Sequence, residues 1–109
     1  MEGDKILQDS KEVRLFILEE FNNHKLKMSS TRLNMATNAT SVLCQWIERG
    51  LFYNDGSLRF SLSSLSNCDR MDLFFSLGIL LGIYKGIPKS RKITRVLEKI
   101  KKDLFSSIV

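Results

Sequence analysis

A reaction needs a nucleophile, an acid or a base held at short range, and this chain offers few such groups. It has one histidine, His24, and two cysteines, Cys44 and Cys68. His24 stands in the run HKLKMSS, where a surface position is expected. Cys68, close to an expected helix start, is the thiol better placed for a lowered pKa. No base is set beside it by sequence. The cysteines form no CxxC pair and no second histidine accompanies them, so zinc is not expected and both thiols are expected to be free. Glu19 and Glu20 are adjacent and point apart on a helix. The glycines of LGILLGIYKG fall within an apolar run rather than between a strand and a helix, so they do not read as a phosphate loop. Enzymatic, metal and cofactor chemistry are therefore not expected.

What the chain does carry is charge of one sign in one place. The formal net charge is +5, from 17 basic and 12 acidic residues. Between Lys85 and Lys102 every charged residue except Glu98 is basic, whereas acids and bases nearly balance before it. A single-sign field speeds encounter with an anionic partner and orients it. A helix face that served solubility alone would interleave acids. Lys89, Arg91, Lys92, Arg95 and Lys99, joined by Lys25 and Lys27 from HKLKMSS, are the candidate partner-binding residues. An acidic protein segment is the expected partner. Nucleic acid is the alternative, because phosphate contacts by several lysines would suffice for binding. Against it, no aromatics interleave the basic stretch for stacking; Tyr84 and Phe105 only bracket it.

The elements that must position these cations centre on Met71–Tyr84, MDLFFSLGILLGIY. It has no polar face and is expected to be a helix buried on all sides. It falls short of the about 20 apolar residues needed to cross a bilayer, and Asp72 sits at its start, so a membrane reading is not favoured. Gly78, Gly82 and Gly86 fall four apart, a spacing that lets another backbone approach. A close contact within the chain is expected there, with a homodimer or helical homo-oligomer seam as the alternative.

Around this centre, Asp9-Ser10 with Glu12 opens a first helix. It carries Val13, Ile17 and Phe21 inward, flanked by Leu15, Phe16 and Leu18, and ends near Asn22-Asn23. Ser29-Ser30-Thr31 offers caps for a second helix, with Ala36, Ala39, Leu43, Trp46 and Ile47 on its inner face and Gly50 at its end. LFYNDGSLRFSL then alternates about the turn Asn54-Asp55-Gly56 and predicts a short β-hairpin. Asn67 or Asp69 would cap the central helix, which must stop around Gly86-Ile87-Pro88. After Ser90, the stripe Ile93, Val96, Leu97, Ile100 and Leu104 predicts a last amphipathic helix. The fold class is mainly α: a compact four-helix domain around one buried central helix, with a β-hairpin between the second and third helices. Residues 1–109 read as a single domain, with 1–9 flexible. Met1-Glu2-Gly3-Asp4 has no basic stretch and no apolar run, so no secretory leader is expected and a cytoplasmic setting is.

In order and spacing, EEFNNHKLKMSS, STRLNMATNATSVL, the turn NDGSL, the SLG that enters the buried helix and the basic KITRVLEKIKKDL form a series. Over about residues 10–105 it resembles the C-terminal domain of rhabdovirus phosphoproteins, the lyssavirus type most of all. The resemblance implies a helical module with a small β element that tethers the viral polymerase cofactor to nucleoprotein–RNA through acidic nucleoprotein segments. It implies that Lys25 and Lys27 match the family's basic residues at the end of its first helix, and a location in host cytoplasm. Where the family has a tryptophan just after the Leu-Gly of its buried helix, this chain has Ile79. The arginine that the lyssavirus type carries at that helix's entry is Phe74 here, with Arg70 one turn earlier.

Overall fold

Four apolar stripes at helical spacing become four helices. The computed structural model describes residues 10–48 and 66–106, without the side chains of Ser10 and of residues 103–106. Helix α1 runs Ser10–His24, α2 Ser30–Glu48, α3 Asn67–Lys85 and α4 Arg91–Ser106, with a single 3-10 turn, Lys25–Lys27, joining α1 to α2. Mainly helical architecture thus stands as expected. The expected β-hairpin in residues 51–62, the Gly50 helix end and the flexible residues 1–9 lie outside the described residues.

Helices α2 and α3 start where a hydroxyl receives an orphan backbone N–H. Ser29 Oγ accepts from Arg32 N at 3.3 Å to open α2. At α3 it is Ser66 rather than Asn67 or Asp69 that caps, its Oγ accepting from Asp69 N at 3.1 Å. Helix α3 packs most extensively on α2, and also on α4, while α1 lies against α2. The core gathers Val13 and Ile17 from α1, Ala36, Ala39, Leu43, Trp46 and Ile47 from α2, and Leu73, Leu77, Leu80, Leu81, Ile83 and Tyr84 from α3. Ile93, Val96, Leu97 and Ile100 complete it from α4. Each fully buried large side chain contributes about 1.5–3 kcal/mol relative to exposure.

The helices alternate in direction, and particular contacts fix this. Arg14 Nη1 donates to Glu48 Oε1 at 2.7 Å, joining the start of α1 to the end of α2. At the opposite pole the His24 and Tyr84 rings meet edge to face, with centroids 5.9 Å apart, joining the ends of α1 and α3. The Arg32 guanidinium, from the first turn of α2, comes within 3.9 Å of where a Cβ on Gly86 would stand. One pole therefore holds the ends of α1 and α3 and the starts of α2 and α4.

Three expectations need correction. The central helix is not buried on all sides: Met71, Phe75, Gly78 and Gly82, spaced to share one face, are exposed, Phe75 by 61%. Nor does another backbone approach the glycines among the described residues. Among the described residues a Cβ on Gly78 or Gly82 would meet nothing within 4 Å, and Gly86 lies beyond the helix as its cap residue. Leu15, expected on the apolar face of α1, is exposed, because α1 is covered on the α2 side only as far as Phe16 and Leu18. Among the described residues no helix is long and apolar enough to cross a membrane.

An exposed helical glycine with open space around it stabilises when given a methyl group, because alanine loses less backbone freedom on folding. Gly82→Ala is expected to raise the unfolding free energy by about 1 kcal/mol in urea titration. A loss of stability would mean that the glycine face is covered.

Candidate functional site

The basic pole forms because α4 turns back directly after α3. Gly86 N and Ile87 N donate to Ile83 O and Tyr84 O at 3.1 and 3.0 Å, which closes α3. Pro88 fixes the next dihedral, and Lys89 follows with φ at +64°, a left-handed conformation that favours glycine. Ser90 then pins the reversal. Its buried hydroxyl shares its proton between Tyr84 O and Ile87 O, the latter at 2.7 Å. Its own carbonyl accepts from Thr94 N at 3.0 Å and from Thr94 Oγ1 at 2.7 Å. Ser90 thus ties the last turn of α3 and the connector to the first turn of α4.

Against this connector lies an open cleft of about 410 Å³, lined by Lys85, Ile87, Lys89, Ser90, Arg91, Thr94, Arg95 and Glu98. Arg91, Arg95 and Glu98 follow one another at i, i+4 and i+7 along the outer face of α4. Lys85 Nζ lies 3.4 Å from Glu98 Oε1, with both side chains more than half exposed, an ion pair worth less than about 1 kcal/mol. No ion pair or hydrogen bond engages the side chains of Lys89, Arg91 or Arg95 among the described residues. Electrostatics favours an anion here. The first turn of α4 contains no acidic residue, so Arg91 and Lys92 add full positive charge where the backbone already presents its positive end.

Of the residues the sequence points to, the structure brings Lys89, Arg91 and Arg95 together in the cleft. Lys92 and Lys99 are exposed on the neighbouring strip of α4 and do not line it. Lys25 and Lys27 are exposed on the 3-10 turn at the same pole. Two contributors are new: Lys85, which lines the cleft, and Arg32, whose guanidinium stands beside Gly86. Lys85 belongs to the basic stretch and could have been included. Nothing in the sequence marked Arg32, which reaches the pole only through the antiparallel packing of α2 and α3.

His24 is also a correction. It is 6% exposed rather than a surface residue, because α1 continues through it and carries its ring onto Tyr84. Its Nε2 lies 3.9 Å from Glu20 Oε2. Its Nδ1 and the Tyr84 hydroxyl have no hydrogen-bond partner among the described residues. Burial, followed by the Glu20 carboxylate, pushes the Tyr84 phenol from 10.0 up to about 12. Cys44 is buried and its thiol is pushed to about 11, chiefly by that burial; Cys68 is exposed, and both are free. Among the described residues no three His, Cys, Asp or Glu side chains gather as a metal site.

Ser90→Ala removes the hydroxyl from two carbonyls at once and is expected to cost about 1–2 kcal/mol in thermal or urea unfolding. Tyr84→Phe removes only an unpartnered buried hydroxyl, so its stability at neutral pH is expected to equal or exceed the parent's. The raised phenol means that the folded protein holds this proton more tightly than the unfolded chain does. The contribution is complete below pH 10 and is lost as the pH rises through about 12. Urea midpoints across this range should fall less steeply for Tyr84→Phe than for the parent.

Compared with protein-family models, with curated proteins and with solved structures, the chain matches none.

Proposed function

We propose that this chain is a non-enzymatic interaction module whose basic pole docks an acidic segment of a partner protein. One observation carries the reading. Three cations without partners, Lys89, Arg91 and Arg95, converge on one cleft from positions where a cation does not help the fold. Lys89 occupies a backbone conformation that glycine adopts at less cost. Arg91 opposes the dipole of the helix it begins. Residues that break local rules without serving packing point to binding. Lys85, Lys25, Lys27 and Arg32 extend the positive field around the cleft, and Lys92 and Lys99 extend it along α4. The resemblance to lyssavirus-type phosphoprotein domains supplies a first partner to try, a nucleoprotein–RNA complex with acidic nucleoprotein segments.

Exchanging Arg91 and Arg95 for glutamate tests the reading cleanly. Both side chains are exposed, so stability should change by no more than about 0.5 kcal/mol. Arg91→Glu even improves the start of α4, since an acid suits that helix end. Binding of a fluorescein-labelled Asp/Glu-rich peptide, followed by anisotropy, is expected to weaken by about 100-fold in the double variant. It should also weaken with added salt in the parent. Undiminished peptide binding by the double variant would refute the proposal. A parent that ignores the peptide but shifts single-stranded RNA at low salt would replace it with nucleic-acid binding.

A further inference from the structure

The turn between α1 and α2 sets a leucine where none of the described residues covers it. Leu26 is 92% exposed, far beyond any other large apolar side chain among the described residues. The residues around it make this conspicuous. His24 is buried, Met28 is half-buried, and Lys25 and Lys27 are both exposed on either side of Leu26. The chain reversal needs a residue here but places no demand for an apolar one. A single exposed leucine is ordinary by itself. This one stands between two lysines, at the pole that holds the cationic cleft.

We infer that Leu26 is the apolar contact of the docking surface and that the partner is an acidic segment bearing an apolar side chain a few residues from its carboxylates. The inference rests on the basic-pole reading and specifies its partner. Charges at the rim of an interface guide and orient, while an apolar anchor shielded from water supplies much of the holding energy. Here the carboxylates would meet Lys25, Lys27 and the cleft, and the apolar side chain would cover Leu26. The turn and the cleft are within reach of one segment. His24 and Tyr84 touch at the ends of α1 and α3, and the turn and the cleft begin with the residues that follow them, Lys25 and Lys85. The His24 and Tyr84 ring centroids are 5.9 Å apart. An extended stretch of five residues covers about 17 Å. A leucine between lysines also suits a peptide better than a nucleic acid, whose bases seek aromatic faces.

Two labelled peptides decide the matter, each with six Asp/Glu residues followed by either leucine or serine. They are titrated into the full chain, into Leu26→Ser and into Arg91→Glu/Arg95→Glu. The parent is expected to bind the leucine peptide about fivefold more tightly than the serine peptide. Leu26→Ser should bind both equally with an unchanged melting temperature, and the double variant should bind neither. Equal affinities in the parent, untouched by Leu26→Ser, would overturn the apolar contact and leave the basic pole standing. Failure of the parent to bind either peptide would overturn both.

Discussion

The reversal between α3 and α4 is the constraint on which the basic pole stands. Five residues, 86–90, turn the chain through the end of one helix into the start of the next. The Ser90 hydroxyl ties this reversal together by reaching two carbonyls at once, Tyr84 O in the last turn of α3, which also accepts from Ile87 N, and Ile87 O in the connector. With Ser90 held there, Lys89 and Arg91 are set on either side of a buried residue and both point to solvent. The cleft is a consequence of this pinning. Side chains from two consecutive helices share one opening because the connector is too short to separate them.

The inner faces of the helices were legible in the sequence because helical spacing alone determines them. Ile93, Val96, Leu97 and Ile100 are all buried, as are Ala36, Ala39, Leu43, Trp46 and Ile47. The cation cluster was legible in part, since Lys89, Arg91 and Arg95 lie within one short stretch. What could not be read depends on which helix ends meet. Arg32 joins the pole only because α2 and α3 run in opposite directions, and His24 is buried only because α1 continues one residue past its asparagines onto Tyr84. Both are facts of tertiary packing that one-dimensional spacing does not encode.

The exposed face of α3 has a different cause. A helix with no polar side invites the inference that it is surrounded, yet a small domain has few neighbours to surround it with. Its main contacts are with α2 and α4, and these cover the side bearing Leu73, Leu77, Leu80 and Tyr84. The remaining side carries two glycines, whose lack of side chains limits the apolar area shown to water, together with Met71 and Phe75. Composition made this helix look central in every direction; geometry leaves it central in two.

Several described residues at the basic pole do little for stability, although one buried hydroxyl elsewhere, that of Thr40 in the middle of α2, also lacks a hydrogen-bond partner among the described residues. The His24 Nδ1 and the Tyr84 hydroxyl are buried without partners among the described residues, each a penalty of about 1–3 kcal/mol. Lys89 holds a strained dihedral, and Arg91 and Lys92 oppose the dipole of α4. The other pole departs less: Arg14 pairs with Glu48, and Ser66 caps α3. Had stability alone shaped the chain, glycine at 89, an acid at 91 and phenylalanine at 84 would each have been the cheaper residue. Departures of this kind, set around exposed cations and one bare leucine, are what the proposed docking role would account for and a merely solvated end would not.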